Sequence, residues 1–243
     1  MGLFHAKMAA MRMVANEHWG TPNSKAPWSL WRMNTLLGRK AVSVGWKAKK
    51  LTPFRPLNEL ALKLVLSANI LDAFRLHCSG DSLERWIGSV RTSSELRAVA
   101  VRVRDRLCSA VRVEELHSCS DGGQDLTLEN IILFNRDALI LCEFIHSVKR
   151  GDVGSILNVL TYWLHEFRGT GMMPKYSDAV FEVLISLKEM PDALCDAYLM
   201  HWLVNISGKP NRFKEVDLLQ EHQNFWLKVC SVAALMIESP LLT

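Results

Sequence analysis

The stretch from Asp152 to Gly171, DVGSILNVLTYWLHEFRGTG, carries the signals that decide the fold class. The aspartate at its start can cap a helix, because its side chain accepts hydrogen bonds from backbone N–H groups of the first turn. The glycines at its end can stop a helix, since glycine adopts the left-handed backbone that follows a last turn. The stretch therefore predicts a capped helix that contains GSILNVLTYWLHEF and ends at RGTG.

The same punctuation recurs along the chain, with Pro or Asp before many apolar runs and Gly after them. Pro27, Pro56, Pro174 and Pro191 each precede such a run, as is typical of first-turn prolines. Beyond residue 127 the predicted helices are about 15–20 residues long with short loops, a pattern that favours antiparallel helix packing. We therefore predict an all-α fold, an irregular multi-helix bundle of about eight to nine helices.

One segment is ambiguous between helix and strand. Ser93 or Ser94 can begin a helix over ELRAVAVRVRDRLCSAV, but Val99–Arg104 alternates in the way that a half-buried strand does. We predict a helix here, with a strand as the alternative.

The loop CSDGGQD, residues 119–125, is the clearest internal boundary. Its glycines and polar residues are typical of an exposed connection. It divides a basic N-terminal helical region, residues 1–118, from a C-terminal helical bundle, residues 126–230. The two regions can also pack as one domain.

The composition excludes several classes of protein. A hydrophobic fraction of 49% is too high for a disordered chain. The chain contains no uninterrupted run of about 18 apolar residues, the length that a membrane-spanning helix requires. The six cysteines form no CxxC pair, and no secretory signal is recognisable, so we expect reduced thiols, no zinc knuckle and a nuclear or cytoplasmic location.

Positive charge is concentrated near the start of the chain. Residues 1–58 contain ten Lys and Arg against one acid, whereas the remainder contains 19 against 24. Basic residues between tryptophans suit a nucleic-acid backbone and its bases, although a solvated basic surface is the alternative. The candidate nucleic-acid contacts are Arg39, Lys40, Lys47, Lys49 and Lys50.

The run DLLQEHQNFWLKV, residues 217–229, is the sharpest local feature. On a helix, His222 falls in one arc with Leu218 and Trp226, so we predict that His222 faces the core. Glu221 lies at the edge of that arc and is the one candidate catalytic residue, provided that acidic partners come from elsewhere. His5, without a local metal partner, is predicted to lie in the core or in the first helical turn.

Six blocks in fixed order resemble a large family of mushroom-forming fungi that carries a domain of unknown function. They are GLFHAKMA, HWGTPNS, SLWRMNTLLGRK, RDALILCEFIHSVKRGDVGSILNVLTYW, FRGTGMMPKY and HWLVNISGKPNRFKEVDLLQEHQNFW. The resemblance covers residues 2 to 228, and the genes of that family often look transposon-derived.

The resemblance implies a possible parent enzyme. Longer members carry an upstream strand of the form GDQLT, which would suit an RNase H-like transposase core interrupted by a helical insertion. Carboxylates in such cores hold two divalent metals, and Glu221 would be the late acid. This chain starts at the GLFH block and departs from the family after Lys228. We therefore expect a truncated, inactive member that forms the helical portion of the parent.

The sequence and the resemblance together predict three candidate functions, which we rank. The first is a transposon-derived domain without independent catalysis that contacts DNA through its basic N-terminal region. The second is a helical protein-interaction module. The third is a metal-dependent nuclease remnant, the only case that would require Mg²⁺. The sequence contains no GxSxG, HExxH or EF-hand motif, and we predict no metal site and no small-molecule cofactor.

Overall fold

The helices confirm the predicted all-α class. The computed structural model describes residues 1–21, 26–42, 54–78, 82–118, 125–171 and 173–238, with side chains up to Ser231. Short helices such as α2 and α3 bring the number slightly above the predicted eight to nine. The helices are α1 Leu3–His18, α2 Leu30–Leu36, α3 Phe54–Asn58, α4 Ser67–His77, α5 Leu83–Ser89, α6 Ser93–Leu107, α7 Ala110–Ser118, α8 Leu126–Arg150, α9 Val153–Gly169, α10 Pro174–Glu189, α11 Asp192–Met200 and α12 Val216–Glu238; a π-helical segment, Glu59–Leu66, joins α3 to α4.

The start and stop signals around α9 act as predicted. Asp152 is the N-cap, and its Oδ1 accepts a hydrogen bond of 3.0 Å from the backbone N–H of Ser155. The helix ends at Gly169, and Gly171 has a left-handed φ of 65°. Helix α10 begins at Pro174, also as predicted. Helix α2 begins at Leu30 because Ser29, rather than a first-turn proline, supplies the cap.

Replacing Asp152 with alanine tests the cap. Hydrogen bonds from the backbone N–H and the hydroxyl of Ser155 hold the pKa of Asp152 below its usual value. A lowered pKa means that the carboxylate stabilises the fold above its unfolded pKa, and that this stability is lost as the pH falls through the folded pKa. We expect Asp152→Ala to cost about 1 kcal/mol near neutral pH, and less in acid. Urea unfolding at pH 7 and pH 3 measures both; an equal cost at the two pH values would contradict the assignment.

The segment that alternates like a strand is a helix, so the strand alternative is wrong. The predicted single helix over ELRAVAVRVRDRLCSAV is also wrong at its end, because α6 stops at Leu107 and α7 begins at Ala110. Thr92 caps α6 by accepting a hydrogen bond of 3.2 Å from the N–H of Glu95. Val99 and Val103, one helical turn apart, are buried together with Ala73 of α4. Packing of every fourth residue therefore overrides the local alternation.

The predicted helix that follows Pro191 is shorter than expected. Helix α11 ends at Met200, and two short antiparallel strands, β1 Leu203–Val204 and β2 Lys214–Glu215, follow it. The sequence prediction missed these strands because each is only two residues long, which is too short for a period to be visible.

Two compact units divide the chain. One contains Met1–Ala9 and Glu143–Thr243, and the other contains Ala10–Cys142. In the first, α9 and α10 pack side by side, and the Ser177 hydroxyl donates a hydrogen bond of 3.1 Å to the carbonyl of Leu164. Residues 119–124 lie outside the described residues, and the predicted division at residues 119–125 stays a prediction.

The second unit has its own apolar core. Its largest fully buried side chains come from α1, α2, α3, the π-helical segment and α8. The unit also holds a buried hydrogen bond of 2.8 Å from His18 Nε2 to Asp137 Oδ2. Asp137 Oδ1 accepts a further bond of 2.7 Å from Arg136. The buried carboxylate is thus satisfied on both oxygens, as a buried charge requires. The largest fully buried side chains of this unit are Met11, Leu30, Leu57, Leu60, Ile132, Leu141 and Val14.

No helix in the described part of the chain combines the length and the apolar content that a membrane span requires.

The described cysteines differ in exposure, and Cys119 lies outside the described residues. Cys108 is buried, and burial raises the pKa of its thiol to about 11, whereas Cys230 is exposed. Because the thiolate is the nucleophile, we expect iodoacetamide at pH 8 to modify Cys230 and to spare Cys108 in the native protein. Peptide mass spectrometry measures this, with the urea-unfolded chain as the control. Equal labelling of both thiols in the native protein would contradict the burial of Cys108.

Candidate functional site

Helix α12 does not bury the residues that the helical arc predicted. Every residue from Gln220 to Ser231 is exposed, including His222, and Trp226 is 63% exposed. The prediction that His222 faces the core is therefore wrong. A helical wheel shows which side chains share an arc, but it cannot show whether another element covers that arc. Only the first turn, with Leu218 and Leu219 half-buried, is packed.

Glu221, the candidate catalytic residue, lies on this exposed part of α12. Among the residues that the structure describes, no group of three or more His, Cys, Asp or Glu side chains is placed to hold a metal. The role of Glu221 in metal-dependent catalysis accordingly stays a prediction.

The side chain of Asp217 accepts hydrogen bonds from the first turn of α1 and does not cap its own helix. Its Oδ1 accepts a hydrogen bond of 3.0 Å from the N–H of Phe4. Its Oδ2 accepts bonds of 3.2 Å from the N–H of His5 and 3.0 Å from His5 Nδ1. Because α1 has no acidic residue in its first turn, Asp217 supplies the negative charge that a helix start favours.

Gly2 makes this close approach possible. A Cβ atom at residue 2 would lie 2.0 Å from Oδ2 of Asp217, closer than any real contact allows. The GLFH block and the EVD block, which are far apart in the sequence, therefore form one structural contact. His5 belongs to the first helical turn and not to the core, which settles the alternative left open by the sequence.

A nearly buried ion pair lies beside this contact. Lys7 Nζ donates to Glu215 Oε1, and the side chains are 13% and 3% exposed. The Lys7 ammonium also lies 5.3 Å from the centre of the Phe4 ring. This ion pair ties α1 to β2.

The basic residues predicted to contact nucleic acid differ in their exposure and in their partners within the protein. Arg39 donates hydrogen bonds of 3.4 Å to the carbonyl of Pro56 and to Glu59, so it is already engaged within the protein. Hydrogen bonds from Arg55 and Arg39 hold the pKa of Glu59 below its usual value. Lys40 is exposed. Lys47, Lys49 and Lys50 lie outside the described residues.

A basic cavity in the Ala10–Cys142 unit was not predicted. It has a volume of about 660 Å³ and lies between α4, α6, α7 and the start of α8. Arg102 and Arg106 are one helical turn apart on α6 and therefore project from the same face. We call this space the arginine cavity. Its lining residues are Ala73, Leu76, His77, Arg102, Val103, Asp105, Arg106, Leu107, Arg112 and Leu128.

The charges of the arginine cavity are only partly neutralised. Asp105 is bound by Arg104 at 2.7 Å, and Arg112 by Glu115 at 2.8 Å. Arg102 and Arg106 are exposed, and neither is ion-paired with an acid in the described part of the chain. Two unneutralised guanidinium groups with fixed fork geometry can each bind a phosphate group through paired hydrogen bonds.

One signal for this cavity is present in the sequence. The four-residue spacing of Arg102 and Arg106 places both on one helical face, but only if α6 is a helix. Its strand-like alternation obscured that face. The apolar walls contributed by α4 and α8 depend on packing and have no local signal.

A model of a family of unknown function, DUF6589, matches residues 1–234. No curated protein and no solved structure matches the chain.

Proposed function

The chain belongs to the DUF6589 family, whose function is unknown, and we propose that it is a nucleic-acid-binding helical domain without independent catalysis. The observation that carries the proposal is the arginine cavity, where Arg102 and Arg106 present two unneutralised cations beside an apolar wall. The ordered sequence blocks resemble a fungal, transposon-derived family, and this resemblance supports DNA as the nucleic acid.

The charge of the whole unit supports the same proposal. The Ala10–Cys142 unit contains 19 Lys and Arg against 13 Asp and Glu, a net charge of +6. The remainder of the chain carries 10 against 12, a net charge of −2. A positive field over one unit attracts a polyanion and accelerates its association. Lys40, Lys47, Lys49 and Lys50 are among the 19 basic residues of this unit.

Salt-dependent binding to a DNA duplex tests the proposal. Each phosphate contact contributes about 0.9 to the slope of log K against log salt, so Arg102→Ala/Arg106→Ala should lower that slope by about 2. The matched control is Lys63→Ala/Arg97→Ala, which removes two exposed charges of the same unit outside the cavity. Fluorescence anisotropy between 50 and 200 mM salt measures both, a range over which phosphate-driven binding changes by orders of magnitude.

Two outcomes would count against this site. Absence of binding at about 50 mM salt, where electrostatic binding is strong, would overturn the proposed function. An equal loss in the control variant would show that binding follows general charge and not the arginine cavity.

A second function, pairing of two copies of this chain, is favoured by α12. Phe225 and Trp226 are 60% and 63% exposed, within a run from Gln220 to Ser231 in which every side chain is exposed. Leu227 and Val229 are exposed beside them, and a contiguous exposed apolar patch marks an interaction surface. In an antiparallel pair of α12 helices centred between Asn224 and Phe225, Glu221 of one copy would lie opposite Lys228 of the other. Charge complementarity thus favours a second copy as the partner.

Charge reversal tests the pairing. We expect Lys228→Glu to weaken self-association and Glu221→Lys/Lys228→Glu to restore it, because only the double variant re-forms both opposite-charge contacts. Sedimentation velocity over a range of protein concentrations measures the dimer fraction. A monomeric wild-type chain, or a double variant as weak as the single variant, would rule out this pairing.

A further inference from the structure

The hairpin between β1 and β2 carries three cations around a second cavity, in the unit formed by Met1–Ala9 and Glu143–Thr243. The cavity has a volume of about 430 Å³. Its lining residues are Val204, Ile206, Ser207, Lys209, Arg212 and Lys214. We call it the hairpin cavity.

The strand register explains why Lys214 faces this cavity. Val204 pairs with Lys214, and Leu203 pairs with Glu215. Directly opposed residues share a face of the sheet, whereas successive residues point to opposite faces. Lys214 therefore lies on the cavity face with Val204, while Glu215 lies on the other face, buried against Lys7. The hairpin therefore places Glu215 and Lys214 on opposite faces.

The loop between the strands is held in place by its own hydrogen bonds. The side-chain amide of Asn205 donates 2.9 Å to the carbonyl of Lys209, and the Ser207 hydroxyl donates 3.0 Å to Asn205. At the base of the loop, Phe213 donates its N–H to the carbonyl of Lys149 and packs its ring against Gly151. The cations therefore project from an organised turn, which lowers the entropy cost of binding.

Lys209, Arg212 and Lys214 are all exposed, and none is ion-paired with an acid in the described part of the chain. Arg150 and Arg168 in the same unit, by contrast, are both paired with acids. Three unneutralised cations around one cavity favour an anionic ligand with more than one phosphate. The side chains of Val204 and Ile206 add an apolar wall, and Ile206 is 72% exposed.

We propose that the hairpin cavity binds an unpaired nucleic-acid strand, with phosphodiester groups on Lys209, Arg212 and Lys214 and an unstacked base against Ile206. An unpaired base offers its face to an apolar side chain or to a guanidinium group, whereas a base in a duplex does not. The inference shares the class of ligand with the proposed function but uses a different site in the other unit.

A single-stranded oligonucleotide and two variants of the full chain test the inference. Arg212→Ala/Lys214→Ala should lower the salt slope by about 1.4, since each phosphate contact to a single strand contributes about 0.7. Ile206→Ser should weaken binding severalfold and leave the slope unchanged, because it removes a base contact and no charge. The matched control, Lys175→Ala/Lys188→Ala, removes two exposed charges of the same unit and should change neither quantity.

Competition distinguishes the sources of the anionic group. A vesicle containing anionic lipid, or inorganic phosphate at equal phosphate concentration, should fail to displace the oligonucleotide. Displacement by either probe would overturn the assignment to a nucleic-acid strand, as would equal binding of duplex and single strand by the hairpin cavity.

If the hairpin variants bind normally while Arg102→Ala/Arg106→Ala binds weakly, the hairpin inference fails and the proposed function stands. If instead Arg102→Ala/Arg106→Ala binds normally while the hairpin variants bind weakly, the hairpin inference stands and the arginine cavity is not the site of the proposed function.

Discussion

Replacement of Glu215 by leucine is expected to lower the free energy of unfolding by about 3–5 kcal/mol, because it leaves the Lys7 ammonium without its carboxylate in a nearly dry site. The pair is 13% and 3% exposed. A buried charge that loses its partner keeps the full cost of its removal from water. Urea unfolding followed by circular dichroism measures the change.

Two further variants show whether the cost arises from the uncompensated charge. Lys7→Met/Glu215→Leu removes both charges and should cost less than Glu215→Leu alone, since no charge remains buried. Arg168→Ala breaks an ion pair with Asp178 whose side chains are 67% and 70% exposed, and it should cost less than about 1 kcal/mol. A double variant less stable than the single one would contradict this account of the pair.

Trp163→Ala is expected to lower the free energy of unfolding by about 3–5 kcal/mol, because it opens a cavity in the core of its unit. Trp163 is 1% exposed, and its ring centre lies 4.7 Å from that of Phe144 and 5.9 Å from that of Phe167. Phe144 lies on α8 and Phe167 on α9, and surrounding structure relaxes only partly around such a cavity. Thermal and urea unfolding of the variant measure the loss.

Trp226→Ala is the matched control, since it removes the same side chain from the exposed part of α12. Its effect on stability should stay within about 0.5 kcal/mol, as is usual for exposed positions. The comparison is made at a protein concentration at which the chain is monomeric, so that pairing of α12 does not contribute. A cost as large as that of Trp163→Ala would then contradict the exposure of Trp226.

The helical elements were largely predictable because their signals act over a single turn. Asp152 and Pro174 begin α9 and α10 as expected, and the glycines after α9 end it. Each signal concerns a backbone group within a few residues of it, so the local sequence contains all that is needed. The same reasoning failed at α11, where the chain leaves the helix at Met200 to form a strand that pairs with residues farther along.

The candidate sites were much less predictable. The sequence marked Glu221 and the lysines near residue 47, whereas the arginine cavity and the hairpin cavity are assembled from separate elements. Each cavity needs an apolar wall and cations from different positions, and their approach depends on packing. Glu215 shows the same limit: its sequence neighbours do not indicate that it turns away from Lys214 to meet Lys7.

By itself, the sequence determined the all-α class and most helix boundaries, because capping and glycine signals act within one turn of the backbone. Only the tertiary structure decided the role of Asp217, which caps α1 across 213 residues of sequence. It also decided that α12 leaves His222 and Trp226 exposed. Amphipathic periodicity identifies a face, but burial needs a second surface against that face, and the position of that surface is a property of the folded chain.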